Sequence, residues 1–352
     1  MVGLSGGVDS AVAALLLQQA GADVQGLYME NWDADDEYCT AAQDYQDARQ
    51  VARELGLVLH RVSFAAQYRQ QVFADFLAGY RAGRTPNPDV LCNREIKFGV
   101  CAAHARRLGA SAFATGHYAR LVQTEDGPAL YKADDKAKDQ SYFLHAVPRA
   151  EFASVLFPLA AFTKAQVRER ARDAGLSVHD KADSTGICFI GERPFADFLA
   201  RYIDDTPGPI ESLQGEVLGT HRGLPFYTLG QRDGLLIGGR RGHAPEPWYV
   251  ARKETARNAL VVAQLHEQQA LCTSRVQLQD VNWLCATPPL PLALSVKLRY
   301  RQPDQAATLL RNQQGVHELH FDEPQRAATC GQYAVFYQGE RCLGGGLITD
   351  TL

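Results

Sequence analysis

No uninterrupted apolar stretch of about 18 residues, the length a membrane-spanning helix needs, occurs in this sequence. Its first residues also lack the basic, apolar, small-residue succession of a cleaved secretory signal. Both absences lead to the expectation of a cytoplasmic chain with no membrane partner. Cysteine is present at 39, 92, 101, 188, 272, 285, 330 and 342, yet there is no Cys-x-x-Cys pair and no tight Cys/His cluster. A disulfide scaffold and a structural zinc site are therefore not expected, and most of these thiols read as small buried hydrophobes. Internal repeats and low-complexity tracts are missing too. At 352 residues, 46% hydrophobic and 22% charged, the chain can bury two or three cores and does not read as disordered.

No excess of positive charge advertises a nucleic-acid surface, since the formal net charge is −4. The balance is uneven, however: residues 207–352 carry 14 Lys+Arg against 13 Asp+Glu, which leaves 22 against 27 for the first part. A surface for nucleic acid would have to be local, for instance Arg232, Arg240 and Arg241, or Lys297, Arg299 and Arg301. Solvated loop charges would look the same. The acidic run Asp33, Asp35, Asp36 and Glu37 reads as a solvated loop that would repel RNA, or as a face for a basic partner.

Along the first 115 or so residues, short apolar runs (Val2 to Leu4, Val24 to Met29, Val58 to Val62, Ala112 to Thr115) alternate with helical patterns (Ala11 to Gln19, Ala41 to Leu55, Ile96 to Leu108). That alternation predicts a doubly wound parallel sheet covered on both faces, with ligands at the carboxyl edge of the strands. The chain opens almost inside its first strand, so a few residues are expected to precede it. From about Arg149 the pattern turns helical, and after Thr206-Pro207-Gly208-Pro209 it becomes short β-rich runs separated by turn residues, as in a small antiparallel barrel or sandwich. Three units are expected: 1–147 α/β, 148–206 small and helical, and 207–352 all-β.

Gly3-Leu4-Ser5-Gly6-Gly7-Val8-Asp9-Ser10 falls between the first strand and the first helix. Backbone N–H groups and the helix dipole favour phosphate there, the glycines allow close approach, and Ser5 and Ser10 add donors. A lysine is lacking, which separates this loop from the Walker A type. Asp9 beside a phosphate is repulsive unless a cation intervenes, hence the expectation of Mg²⁺. The string Ser-Gly-Gly-Val-Asp-Ser resembles the PP-loop of the ATP pyrophosphatase superfamily, an adenine nucleotide alpha hydrolase-like fold in which ATP is cleaved between its α and β phosphates. That resemblance implies that Met29 and Gly116 lie around the adenosine.

Two thiols stand in distinctive loops. Cys92 follows Arg84-Thr85-Pro86-Asn87-Pro88-Asp89-Val90-Leu91 and falls close to a predicted helix start, where the dipole, Arg94 and Lys97 would favour thiolate; an apolar filler after Val90-Leu91 fits as well. Cys188 is carried just past the turn residues of Asp183-Ser184-Thr185-Gly186, where a rigid hydrophobic loop end is the alternative.

Taken together, SGGVDS, GRTPNPDVLCN, ATGHYAR, KDQSYFL, DSTGICFIGER, YTLGQRDGLLIGG, EPWYV and GQYAVFY resemble the bacterial tRNA-specific 2-thiouridylase family of the MnmA/TrmU type, over essentially the whole chain. The resemblance implies a tRNA-uridine 2-sulfurtransferase acting on the wobble uridine of tRNAs for Lys, Glu and Gln. Such an enzyme would use ATP, Mg²⁺ and sulfur from a desulfurase or sulfur relay protein. It also implies that Cys188 carries a persulfide and that Cys92 is the partner nucleophile, the two ending as a catalytic disulfide. Asp89 would be a general acid/base at the target base, with Asn87 and Pro88 beside it; read locally, Asp89 is equally a helix-start carboxylate. His117, Lys138, Asp139, Gln140, Arg299, Tyr300 and Gln332 would contact tRNA. Two other readings fit parts of the sequence: a PP-loop ligase acting on a small molecule, and a noncatalytic tRNA-binding or sulfur-carrier module.

Overall fold

A computed structural model describes residues 1–32, 41–183, 194–238 and 242–352. The expectations at Cys39, at the acidic run Asp33 to Glu37, at Cys188 and at Arg240 and Arg241 lie outside the described residues.

Five strands, β1 (Val2–Gly3), β2 (Gly26–Glu30), β3 (Leu59–Ser63), β4 (Phe113–Ala114) and β7 (Val155–Leu156), form a sheet of order β3-β2-β1-β4-β7. Each of its pairings is parallel. The order reverses direction between β1 and β4, and a crevice for ligand opens at such a point outside the strand carboxyl ends. The Val8–Gln19 helix follows β1. Its sequence suggests an apolar stripe of Val12, Leu15 and Leu16, but Ala11, Ala13 and Ala14 are fully buried as well, while Leu16 is only partly so. The cause is cover from a second side, because Val167 and Ala171 of the Lys164–Asp173 helix share its core.

Between β4 and β7 runs a hairpin, β5 (Ala119–Thr124) and β6 (Gly127–Lys132), that leaves the parallel sheet altogether. Beyond the helical stretch (Lys164–Asp173, Phe195–Leu199), the β-rich part is built as two sheets rather than one unit. The first comprises β8 (Gly208–Ser212), β9 (Val217–His221), β10 (Trp248–Glu254) and β11 (Ala259–Gln264), in the order β10-β11-β8-β9. Strand β11 is buried at every position, as a strand covered on both faces must be.

The second contains β12 (Cys272–Trp283), β13 (Leu292–Lys297), β14 (Gln305–Arg311), β15 (His317–Arg326), β16 (Tyr333–Gln338) and β17 (Arg341–Thr351). All its pairings are antiparallel, and β12 pairs with both β15 and β17, closing a six-stranded barrel. Closure removes the open edges, and Val276, Val296, Leu309, Leu319, Phe336 and Ile348 fill the interior. Strand β6 then adds to the outside of β17 (Tyr131 opposite Arg341, Leu130 opposite Cys342), so a hairpin from the α/β part is bonded to the barrel. Among the described residues no helix is long and apolar enough to cross a membrane.

Candidate active site

The Gly3–Ser10 loop occupies the reversal point of the parallel sheet and is shaped by its small residues. Ser5 N donates to Ser10 Oγ at 3.1 Å, and Ser10 Oγ donates to the Gly7 carbonyl at 3.0 Å. Gly6 holds a φ of +77°, and a Cβ there would come within 2.3 Å of the Asp44 carbonyl oxygen, so only glycine fits. Leu4 and Val8 are buried and anchor the loop from below. The helix that follows begins at Gly7 with no side-chain cap, leaving its first N–H groups without a side-chain partner. Gly116, just past β4, faces the same point: a Cβ on it would lie 2.7 Å from Asp9 C and Ser10 N. Met29 sits near the carboxyl end of β2, next to β1.

Although the loop itself has no lysine, two reach it from the stretch that follows β7. Lys164 Nζ donates to both carboxylate oxygens of Asp9, at 2.6 and 2.7 Å, and lies 2.8 Å from Asp183. Lys181 Nζ donates to the Gly6 carbonyl at 3.1 Å and to Asp44 and Asp47 at 2.8 and 2.5 Å, which ties the Ala41–Glu54 helix to the loop. Asp183 also receives Lys138 at 2.6 Å and Arg168 at 2.9 Å. Partial burial alone would raise its carboxyl, but the hydrogen bonds and charges of Lys138 and Lys164 outweigh that and bring it down to about 2. Tyr118 completes the group by donating to Asp9 at 2.8 Å.

Helical backbone runs from 88 to 107, and Cys92–Cys101 within it is π-helical, a form concentrated at functional sites. Asn87 is the N-cap residue and Pro88 the first helical one, so Cys92 lies a full turn inside the helix rather than at its start. Pro88 and Cys92 are buried. Asp89, in the first turn, is exposed by surface area yet stands in a crowded recess: desolvation raises its carboxyl, and Lys97 draws it back only in part. His117 is buried, 2.7 Å from Thr115 Oγ1, and burial followed by the charge of Lys97 holds its ring far below the usual range. Lys97 therefore acts on both Asp89 and His117, Phe98 of the same helix packs 5.7 Å from the His117 ring, and Gly116 touches the Gly3–Ser10 loop.

Residues 138–140 are tied in three directions. Gln140 exchanges hydrogen bonds with the Tyr118 backbone (2.7 and 3.0 Å), Asp139 accepts from the N–H of Ala133 and Ser141 and the Ser141 hydroxyl, and Lys138 donates to Asp183. The polar atoms of Asp139 are thus spent inside the fold, whereas Lys138 remains at the surface of the cluster. From the barrel, Tyr300 donates to the Lys138 carbonyl at 3.2 Å and packs its ring 4.5 Å from Phe143. Arg299, Arg301 and Arg326 line a cavity of about 320 Å³ with Leu298, Gln302 and Ala327. Burial, and then Arg326, lowers the pKa of Arg299, a cost that an anion in the cavity would relieve. Gln332 is directed elsewhere, its amide donating to the Thr85 carbonyl at 2.7 Å.

Among the described residues there is no group of three or more His, Cys, Asp or Glu side chains able to hold a metal. A cation at the loop would rest on Asp9 with phosphate oxygens and water, a donor set that suits Mg²⁺. Sequence reasoning missed Lys164, Lys181, Tyr118 and the part played by Asp183. The available signal was the loop's own lack of lysine, which obliges a cation to come from elsewhere.

A glycine-rich loop at the reversal point of a parallel sheet, in a chain with two further β units, has the form of a nucleotide-binding α/β domain. Residues 1–192 match the family described as "tRNA methyl transferase HUP domain", 196–264 "tRNA methyl transferase PRC-barrel domain", and 273–348 "Aminomethyltransferase beta-barrel domain". The chain is 52% identical to the tRNA-specific 2-thiouridylase MnmA of Verminephrobacter eiseniae, covering 99% of this chain and 97% of that protein. It is 53% identical to the protein of the same name from Acidovorax ebreus, with the same shares covered. Among solved structures, the U34-tRNA thiolase NcsA from Methanococcus maripaludis is similar over 53% of this chain and 60% of its own, at 19% identity and a TM-score of 0.35, too slight a likeness to carry an argument. The chain belongs to the tRNA-specific 2-thiouridylase (MnmA) family.

Proposed function

We propose that this protein is a tRNA-uridine 2-sulfurtransferase of the cytoplasm, which uses ATP to convert the wobble uridine of tRNAs for Lys, Glu and Gln to 2-thiouridine. The observation that carries the reading is a chain of contacts: Gly116 approaches the Gly3–Ser10 loop, and its neighbour His117 packs 5.7 Å from Phe98 of the helix that carries Asp89 and Cys92. A phosphate held by that loop would share its surroundings with a carboxyl and a thiol.

The chemistry requires both halves. Oxide is too poor a leaving group, so the uracil C2 oxygen first attacks the α phosphate of ATP and pyrophosphate departs. Gly3 to Ser10 would hold the phosphates, Met29 and Gly116 the adenosine side, and Mg²⁺ would ride on Asp9. Asp89, with its raised carboxyl, suits proton transfer at the base, which Asn87 and Pro88 would flank. The terminal sulfur of a Cys188 persulfide, loaded by a desulfurase or relay protein, then attacks C2 and AMP leaves. Thiolate attack by Cys92 on the Cys188 sulfur breaks the S–S bond, leaves sulfur on the base and forms a Cys92–Cys188 disulfide, which a thiol reductant resets. Lys138, Arg299 and Tyr300 suit phosphate contact and stacking on a splayed anticodon loop. Asp139, Gln140 and Gln332 would shape that surface mainly by holding the loops that form it, and His117 would face it as a neutral ring.

Pyrophosphate release tests the assignment against its rivals. Release from ATP that depends on unmodified tRNA, with AMP as co-product, is expected. Release stimulated by a metabolite in place of tRNA would favour a small-molecule ligase, and tight tRNA binding without release would favour a noncatalytic module.

A further inference from the structure

We infer that Lys164 is a phosphate-positioning residue of the nucleotide site, supplying from the Lys164–Asp173 helix the cation that the Gly3–Ser10 loop lacks. The inference rests on the ATP-dependent reading above. Its basis is the placement of one ammonium between two carboxylates that belong to different parts of the site. Lys164 Nζ lies 2.6 and 2.7 Å from the oxygens of Asp9, the second residue of the helix whose N-terminus faces the anion, and 2.8 Å from Asp183.

The residue is held there by its backbone as well as its side chain. Thr163 and Gln166 form a reciprocal capping box around the first turn, and Lys164 N donates to Asp135 at 2.9 Å. Only 13% of the side chain is exposed, so little freedom remains to be lost when a ligand arrives. The charges around it balance until a cation draws Asp9 away: Lys138, Lys164 and Arg168 stand with Asp9, Asp183 and Asp135, three cations against three carboxylates. When Asp9 turns to a phosphate-bound cation, Asp183 keeps Lys164 over the loop and its charge becomes available to the phosphate chain.

Lys181, the other lysine at the loop, does not meet these conditions. It faces Asp44, Asp47 and the Gly6 carbonyl rather than Asp9, so it is a strut between the Ala41–Glu54 helix and the loop.

The experiment measures ATP and AMP binding to the full chain by calorimetry with Mg²⁺ and without tRNA, for wild type, Lys164→Met, Lys164→Gln and Lys164→Arg, each checked for a cooperative unfolding transition. Loss of one charged hydrogen-bonding group at the phosphates should weaken ATP roughly ten- to a hundredfold in the Met and Gln variants, and AMP by less than about threefold, with Arg in between. ATP affinity within about twofold of wild type in a folded Lys164→Met or Lys164→Gln protein, or equal weakening of ATP and AMP, would overturn the inference. Wild-type protein that binds no ATP would sink the ATP-dependent reading itself, a result distinct from an unaffected variant.

Discussion

The side-chain amide of Gln332, in the turn before β16, donates to the carbonyl of Thr85 at 2.7 Å, joining positions 247 apart in sequence. The contact is part of a clamp. Thr85 N donates to the Cys330 carbonyl at 2.9 Å, and Gly331 packs so closely that a Cβ would lie 3.0 Å from the Thr85 backbone. The barrel thereby fixes the approach to Pro88–Asp89 from outside the α/β part. Gln332→Leu removes the donor but keeps the bulk, at a stability cost of about 1 kcal/mol. Its kcat with saturating tRNA should fall several-fold while ATP affinity stays at the wild-type value. Equal loss of ATP affinity would show that the clamp is not local to the Thr85–Asp89 segment.

Gly116 is the second close approach. An added methyl group 2.7 Å from Asp9 C and Ser10 N must displace the backbone of the anion loop. Gly116→Ala is expected to lose about 1–3 kcal/mol of stability and at least about tenfold in ATP affinity. Calorimetry on the variant checks both, and an unchanged affinity would place the nucleotide away from this contact.

Asp183 makes a prediction about acid stability. Its carboxyl is at about 2 in the folded chain against an ordinary 3.8, so the folded state binds fewer protons than the unfolded state between those values. The stability it contributes is fully present above about pH 4 and is lost as pH falls through about 2. The difference in urea midpoint between wild type and Asp183→Asn should therefore be largest at pH 5 and shrink steadily toward about pH 2. A difference constant across that range would mean that Lys138, Lys164 and Arg168 do not hold it as an anion.

For Asp89 the direction is opposite. Desolvation by its crowded surroundings raises its carboxyl, so protonation persists to higher pH than for an ordinary aspartate. If the carboxylate takes the proton of the base, activity should fall on the acid side along a limb placed above the usual carboxylate range, and Asp89→Asn should abolish that limb with a loss of about a hundredfold or more in kcat. A surviving limb in the variant assigns the titration to another group.

Much of this organisation was legible in the sequence, and what was not has a common cause. The parallel sheet, the anion loop after β1 and the closed β region follow from local periodicity and turn residues, signals carried within a few positions. The β5–β6 hairpin was not anticipated as an addition to the barrel, because its pairing is with Arg341 and Cys342, which no local pattern encodes. The division between β11 and β12 was also missed, since both flanks are equally β-rich. In the site, Ser5, Gly6 and Ser10 announce themselves by spacing, whereas Lys164 and Lys181 lie in ordinary charged helical sequence and acquire meaning only through Asp9 and Asp44. Cys92 lies a turn inside the helix instead of just before it because Pro88 opens the helix eight residues ahead of the expected start at Ile96.

The most direct measurement of the central claim is a single turnover with persulfide-loaded protein, ATP and unmodified tRNA, quenched and analysed for 2-thiouridine, AMP and a Cys92–Cys188 disulfide. One equivalent of each, appearing together and absent without ATP, is expected. Thiolated uridine formed without AMP, or AMP formed without thiolated uridine or the disulfide, would contradict it.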